Sequence, residues 1–241
     1  MDYNNYYNNG YGTAVQAESE LSLRTYVASV MRRVYGKMFL GLLVTAITSV
    51  LVLGNETLMQ LFFSSRATFF ILAFAELGLV FYLSARIDKL QASTATALFY
   101  LYAVLNGVTL TPIFMIYTGS SIALTFGITS LTFGAMCVYG YVTKQDLSKM
   151  GAILFMALIG LILCSIVNLF LHSSAMEWII SIAGVAIFVG LTAWDTQSIK
   201  RMVEVADPGQ TGKIATLGAL SLYLDFINLF IYLLRIFGSR D

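Results

Sequence analysis

The amino-acid sequence predicts an all-α integral membrane protein, a bundle of seven transmembrane helices. Of its 241 residues, 58% are hydrophobic and 11% are charged, whereas about a quarter of the residues in a soluble domain carry a charge. Crossing a bilayer takes about 20 apolar residues, and seven such segments follow one another with short loops between them. We therefore expect a single transmembrane domain over residues 21–241. The Tyr/Asn-rich tail over residues 1–20 is polar and of low complexity, which predicts disorder.

Hydropathy places the spans in the following order: Met38–Leu53, Ala67–Ser84, Ala95–Tyr117, Ser121–Val142, Ala152–Leu171, Trp178–Ile199 and Ile214–Phe237. The third contains Pro112, which removes a backbone hydrogen bond and predicts a bend in that helix. The longest loop joins the sixth and seventh spans and carries the turn signal Asp207-Pro208-Gly209. No linker or second domain is indicated.

Lysine and arginine are distributed unevenly between the two sides of these spans. If the tail is cytoplasmic, 11 of the 14 basic residues fall on the inner side: Arg24, Arg32, Arg33, Lys37, Arg86, Lys89, Lys144, Lys149, Lys200, Arg201 and Lys213. Positive loops stay in the cytoplasm, so we expect a multi-pass inner-membrane protein with its N-terminus inside. The net charge of +1 gives no reason to expect nucleic acid as a partner. Its two cysteines lie in apolar runs and indicate neither a disulfide nor a zinc site.

Three acidic residues lie within predicted spans: Glu76 in the second, Asp195 in the sixth and Asp225 in the seventh. A charged side chain near the bilayer centre is costly unless it is protonated, paired or wetted, so such residues usually mark an ion or proton pathway. Small and polar residues share a helix face with each aspartate, which predicts that these faces meet protein or water. The two stripes contain Gly218, Ser221, Asn228 and Tyr232 in the seventh span and Ser181, Gly184, Thr192 and Ser198 in the sixth.

The depths of the two aspartates are not the same when they are counted from the nearest lysines. Asp195 lies about 7–8 Å from Lys200 along its helix, and Asp225 about 18 Å from Lys213. Contact therefore requires the two helices to be tilted or offset, or the seventh helix to begin before Lys213. If the carboxyl groups do meet, they cannot both ionise cheaply and would share one proton. Such a pair is a pH switch.

A proton-sharing pair of this kind would also be a weak, transient calcium site. Calcium prefers six to eight oxygen ligands, and two carboxylates with nearby hydroxyl, amide and water oxygens provide only a loose cage. A conducting path needs such looseness, because a tight site does not release its ion. The residues expected to support this pore face are Ser221, Asn228, Thr192 and Ser198. Arg86 is a candidate latch for the pair, and Glu76 a further candidate cation or proton site.

Two segments, AWDTQSIK (Ala193–Lys200) and ALSLYLDFINLFIYLLRIFG (Ala219–Gly238), resemble the signature of the transmembrane Bax inhibitor motif family. LNGVTLTPIF and FAELGLVFYLSAR extend the likeness along the chain. The resemblance implies a bacterial member in which the seventh helix is central and the other six surround it. It also implies a calcium leak that depends on pH, and eukaryotic relatives suppress cell death. The family's di-aspartyl sensor falls on Asp195 and Asp225, its arginine latch on Arg86, and the second-helix acid of prokaryotic members on Glu76.

Other functional classes fit the residues less well. A serine protease within the membrane needs a histidine partner, and the only histidine, His172, is at a predicted outer helix end. Aspartyl intramembrane proteases use YD and GxGD motifs, whereas the flanks here are AWDTQ and LYLDFIN, so we expect no enzyme. A retinal receptor would need a lysine deep in the seventh span. A proton-coupled cation transporter and a non-conducting regulator of stress or cell death remain open. No cofactor is expected, and the expected partners are calcium ions, protons and the lipid bilayer.

Overall fold

A computed structural model describes residues 3–239, with side chains described from residue 20 onward except at positions 66 and 208. All regular structure in that range is helical. Its long helices are Tyr3–Leu53, Arg66–Arg86, Ala92–Leu110, Gly119–Val142, Ser148–Leu171, Ser174–Val205 and Thr211–Phe237. Shorter helical segments occur at Glu56–Phe63, Ile87–Lys89, Ile113–Ile116 and Pro208–Gln210. Seven helices are long and apolar enough to cross a membrane, which confirms the predicted helical membrane bundle.

The first helix is much longer than its predicted span. It runs from Tyr3 to Leu53, and its membrane-capable part extends from Glu20 to Leu53. Composition predicts disorder up to residue 20, whereas the backbone of residues 3–20 is helical, and residues 1 and 2 lie outside the described range. No proline interrupts this segment, so a helix nucleated in the apolar part can propagate backwards one hydrogen bond at a time.

The sixth and seventh helices also extend beyond their apolar cores. The sixth spans Ser174–Val205, six residues past the predicted end at Ile199, and the seventh begins at Thr211, three residues before the predicted start. Hydropathy does not detect these extensions because they are polar. The hydroxyl of Ser173 caps the sixth helix by accepting a hydrogen bond from the amide of Met176 over 3.3 Å.

Glycines set the closest approaches between helices. A Cβ atom at Gly140 of the fourth span would meet the backbone carbonyl of Ala193 in the sixth. In the seventh span Gly218 packs against Ile199, and in the sixth Gly184 packs against the ring of Tyr232. Small residues at such positions let helix backbones approach in a membrane, where helix association depends on van der Waals packing.

The seventh span is the most deeply buried. Within its most apolar window 67% of the residues are buried, compared with at most 39% in the other six spans. It packs against the first, third, fourth and sixth spans. Its position at the centre of all six stays a prediction.

Pro112 interrupts the third span where the sequence predicts a bend. The helix Ala92–Leu110 ends just before it, and a short helix, Ile113–Ile116, continues the span. The hydroxyl of Thr111 donates to the carbonyl of Gly107 over 3.1 Å, which satisfies a backbone acceptor at the end of the helix.

Candidate functional site: an acidic cavity within the helix bundle

A cavity of about 680 Å³ lies between the second, third, fifth, sixth and seventh spans. All three intramembrane acids line it: Glu76, Asp195 and Asp225. The residues that the structure shows around it include no lysine, arginine or histidine, so its fixed charges are of one sign. Its other polar lining residues are Tyr102, Ser198, Ser221, Asn228 and Tyr232, and the remainder are apolar or glycine.

The carboxyl groups of Asp195 and Asp225 lie beside each other, within hydrogen-bond reach. The helix extensions account for this. Counted from the helix end at Val205, Asp195 is ten residues deep, about 15 Å, and counted from Thr211, Asp225 is fourteen residues deep, about 21 Å. The difference of about 6 Å is one helical turn. The contacts of Gly218 with Ile199 and of Gly184 with Tyr232 show the two helices packed antiparallel in a register that keeps this difference. The difference in depth between the two aspartates that the lysine positions indicated is therefore present, but it amounts to only about one helical turn.

The two aspartates differ in their exposure. Asp225 is 4% exposed, and its Oδ2 atom is buried without a hydrogen-bond partner among the described residues. Asp195 is half-buried. A buried acceptor without a donor is costly unless a proton on one of the carboxyl groups or a bound ion satisfies it. The geometry therefore suits a pair that holds a proton or a cation between its oxygens.

Behind Asp225 lies a contact between the first, fourth and sixth spans. The side chain of Cys137 in the fourth span interacts with Tyr35 of the first and with Thr196 of the sixth. It also lies close enough to Asp225 for an electrostatic interaction. Thr196 directly follows Asp195 in the chain, and its hydroxyl donates to the carbonyl of Thr192 over 2.8 Å. The aspartate pair therefore lies between the cavity on one side and this contact on the other.

Glu76 is held by two donors from the third span. The Thr109 hydroxyl donates to its Oε1 atom over 2.8 Å, and Nδ2 of Asn106 donates to its Oε2 atom over 3.2 Å. Both carboxyl oxygens of Glu76 thus have a hydrogen-bond partner on the third span. The sequence analysis did not link Asn106 or Thr109 to Glu76.

The hydrogen bonds continue from Glu76 into the core. The hydroxyl of Tyr223 donates to Oδ1 of Asn106 over 2.9 Å and lies 2.6 Å from Oγ1 of Thr45. Thr45 in turn contacts the carbonyl of Ala103, 2.9 Å away. This series joins the second, third, seventh and first spans. Sequence reasoning missed Thr45 and Tyr223 because a lone threonine and a lone tyrosine in apolar helices carry no distinguishing signal.

The predicted pore-face residues divide into two groups. Ser198, Ser221 and Asn228 line the cavity beside the aspartates. Thr192 does not: it is fully buried, and its hydroxyl donates to the carbonyl of Phe188 within its own helix over 2.7 Å. A threonine hydroxyl in a helix readily takes this local acceptor, so its place on the aspartate face does not bring it to the cavity.

Arg86 lies away from the cavity. It is the last residue of the second-span helix and is exposed, whereas Val80 is the last residue of that helix to line the cavity. Six residues separate them, which is about 9 Å of helix. Among the described residues the two ion pairs are Glu20 with Arg24 and Asp146 with Arg201, so Arg86 is paired with neither aspartate in this conformation. Its role as a latch stays a prediction.

The loop between the fourth and fifth spans is tied to the sixth helix beside the site. Oε1 of Gln197 accepts from the amide of Leu147 over 2.9 Å, and Nε2 of Gln197 donates to the carbonyl of Gln145 over 2.8 Å. Asp146 accepts from the Ser148 amide over 3.0 Å and pairs with Arg201 over 2.8 Å. The Ser148 hydrogen bonds, and then Arg201, lower the pKa of Asp146 to about 2.

Comparison with known proteins agrees with the sequence signature. The family described as "Inhibitor of apoptosis-promoting Bax1" matches residues 27–241. The inner membrane protein YbhL of Escherichia coli K12 is 49% identical over 228 residues, which cover 93% of this chain and 97% of that protein. A protein of Borreliella burgdorferi is 47% identical over 87% of this chain and 91% of its own length. A membrane protein of Streptococcus pyogenes is 38% identical over 94% of this chain and 98% of its own length.

Proposed function

This chain belongs to the Bax inhibitor family of membrane proteins, and we propose that it is a pH-sensitive calcium leak channel of the inner membrane, with its N-terminus in the cytoplasm. The observation that carries the proposal is the side-by-side placement of Asp195 and Asp225 at the wall of an acidic cavity. The leak involves no catalytic step and no resident cofactor.

The gate is the proton shared by the two aspartates. With one proton between them, the carboxyl groups attract each other and hold the sixth helix against the seventh. When that proton leaves, two negative charges face each other in a medium of low dielectric constant and repel strongly. The cavity wall then opens, so flux rises as the pH rises. Asp225 lies in an apolar helix because the closed state needs a buried, proton-sharing partner.

The chemistry of the cavity suits a passing cation. Among the residues described around it are three carboxyl groups and no basic side chain, which favours cations over anions. Within the part of the chain that the structure describes, no cluster of three or more histidine, cysteine or acidic side chains could hold a metal ion. Calcium would therefore bind weakly and transiently at Asp195 and Asp225, as a permeant ion does.

Calcium entry into liposomes that contain the purified protein tests the proposal. External pH is stepped from about 6 to 8 for the wild type, for Asp195→Asn and for Asp225→Asn. Asp88→Asn, a change on an exposed residue outside the cavity, is the matched control. The expected result is flux that rises with pH in the wild type and the control and that loses its pH dependence in both pair variants. Absence of flux at every pH would overturn the proposal.

Two other functions use the same residues. A proton-coupled cation transporter would also need a proton-sharing pair, and it would show saturable flux that follows an imposed proton gradient. A non-conducting regulator of stress or cell death agrees with the family's description, and it would show no flux. The liposome experiment separates the three because a leak is neither saturable at low concentration nor driven by the proton gradient.

Arg86 enters this scheme as a latch that engages only in another conformation. Its guanidinium would have to approach the pair by movement of the second helix, since it lies beyond the cavity in this one. Arg86→Gln in the liposome assay of calcium entry tests this role, and flux is expected to persist in this variant at the low pH that closes the wild type. Unchanged flux and unchanged pH dependence would remove Arg86 from the gate.

A further inference from the structure

An apolar groove lies between the first and fourth helices, on the side of the bundle away from the acidic cavity. Its volume is about 450 Å³, which is within the range of sites for small ligands, roughly 300–1,000 Å³. Apolar and aromatic side chains form nearly all of its surface. The lining residues are Ala28, Met31, Arg32, Tyr35, Phe133, Gly134, Cys137, Val138, Tyr141 and Val142.

The groove opens on a surface that faces hydrocarbon. Val138 and Val142 of the fourth span line it and are each 63% exposed, and Leu131 of the same helix is 78% exposed. Apolar side chains so exposed on a membrane-capable helix meet lipid tails rather than water. The material available to fill the groove is therefore an acyl chain.

One charge marks the end of the groove. Arg32 is exposed and lines it at the level of Tyr141 and Val142, where the fourth helix ends and the polar loop begins. It takes part in neither of the two ion pairs among the described residues. Lys200 lies beside the same end: its Nζ atom donates to the carbonyl of Tyr141 over 3.0 Å and lies 5.1 Å from the centre of the Tyr141 ring.

From this arrangement we propose that the groove binds one anionic phospholipid, with an acyl chain along Phe133, Gly134 and Val138 and the phosphate at Arg32. The apolar body of the groove matches an acyl chain, and the cation at its interfacial end matches the phosphate. The opening to the bilayer lets such a molecule enter from the side. A zwitterionic lipid fits the apolar body equally well but gains less from Arg32 and Lys200, because its headgroup carries its own cation.

The floor of the groove adds a structural consequence. Tyr35 and Cys137 form part of the floor, and both interact with Thr196, the residue after Asp195. A bound acyl chain would therefore press on the contact that lies directly behind the aspartate pair. Lipid binding itself does not depend on the proposed calcium leak.

The chain provides matched variants for a test. Arg32→Gln removes the charge at the groove, and Arg33→Gln removes an adjacent, exposed charge that does not line it. Gly134→Phe fills the groove, since a Cβ atom at Gly134 meets open space. Gly127→Phe makes the same change two turns away on the same helix, also into open space and outside the groove.

The measurement is retention of phosphatidylglycerol against phosphatidylcholine by native mass spectrometry of the full chain released from mixed vesicles. The wild type, Arg33→Gln and Gly127→Phe should retain one phosphatidylglycerol in preference. Arg32→Gln should weaken that preference about fivefold, the contribution of one basic residue near an anionic surface. Gly134→Phe should abolish retention of either lipid. Equal retention of the two lipids by the wild type, equal losses in Arg32→Gln and Arg33→Gln, or unchanged retention in Gly134→Phe would each overturn the assignment.

Discussion

Tyr223 and Asn106, 117 positions apart in the chain, are joined by a hydrogen bond of 2.9 Å from the tyrosine hydroxyl to Oδ1 of the asparagine. This bond fixes the orientation of the asparagine amide, so that its Nδ2 atom faces Glu76. The seventh helix therefore determines which atom Asn106 presents to the acidic cavity. If Glu76 took up a proton at Oε1, its hydroxyl would donate to the Thr109 hydroxyl, which would donate in turn to the backbone carbonyl of Asn106, so the bond between Asn106 and Tyr223 is kept.

Removal of the Tyr223 hydroxyl should destabilise the protein while leaving its packing intact. Tyr223→Phe keeps a ring that packs edge-to-face with Phe99 and Tyr102, with centroids 5.7 Å apart in both cases. It leaves Oδ1 of Asn106 without its donor, at a cost of about 1–2 kcal/mol in the free energy of unfolding. Thermal unfolding in detergent measures this. Tyr139→Phe, at an exposed position, should have no effect, and equal stability of the two variants would contradict the role of the bond.

Glu76→Gln should lower cation flux and leave the pH midpoint unchanged. Glutamine can still accept from Asn106 and donate to the hydroxyl of Thr109, so we expect a loss of stability below about 1 kcal/mol. Loss of one negative charge from the cavity should reduce flux about fivefold, equivalent to ~1 kcal/mol of attraction.

The liposome assay of calcium entry measures this effect. Glu56→Gln, outside the cavity, is the control. A displaced pH midpoint in Glu76→Gln would show that Glu76 belongs to the sensor rather than to the permeation path.

Gly140→Ala should disrupt the contact between the fourth and sixth helices. Its Cβ atom would meet the backbone carbonyl of Ala193, which cannot rotate away as a side chain can. The two helices would have to separate two residues before Asp195, at a cost of about 1–3 kcal/mol or more.

Gly127→Ala in the same helix is the comparison. Its Cβ atom meets open space, so this variant should be neutral or more stable by up to about 1 kcal/mol. Urea or thermal unfolding of both variants in detergent checks the difference, and similar stabilities would show that the fourth and sixth helices pack loosely.

Asp146 should remain ionised down to a low pH. Its pKa of about 2 lies below the ordinary value of 3.8 for an aspartate, so the pairing stabilises the folded state above about pH 4 and the effect is lost as the pH falls through about 2. Carbon-detected NMR titration of the carboxyl group measures this directly. In Arg201→Gln the pKa should rise only in part, because the hydrogen bonds from Ser148 are the larger cause. A midpoint near 4 in the wild type would contradict the ion pair, and a pH response between 6 and 8 cannot come from this residue.

The spans were predictable from the sequence because the bilayer imposes a length on every apolar run. Their ends were not, since residues such as Lys200 and Arg201 continue the sixth helix into the aqueous region without any hydropathic signal. That extension decides whether Asp195 and Asp225 lie at matching depth. Sequence reasoning could therefore state the condition for their contact but not whether it holds.

The polar contacts of the site show a second limit. Asp225 stands out in the sequence because a carboxylate in an apolar helix is rare and costly. Tyr223 and Thr45 do not stand out, because their importance comes from facing each other and Asn106 across three helices. Thr192 shows the opposite error, since helical periodicity places it on the aspartate face and only its own backbone acceptor takes it away from the cavity.

The side chain of Gln197 has one further consequence. It holds the loop at Gln145 and Leu147 by two hydrogen bonds and is only two residues from Asp195. A displacement of the sixth helix at the gate therefore moves that loop as long as these hydrogen bonds hold. Because coupling is reciprocal, a molecule that binds the loop in its present position opposes the displacement by the free energy with which the displacement weakens its binding. The short loop between the fourth and fifth helices is thus coupled to the sixth helix from outside its apolar core. A fluorophore attached to this loop would report movement at the two aspartates, and a protein bound to the loop would restrain that movement.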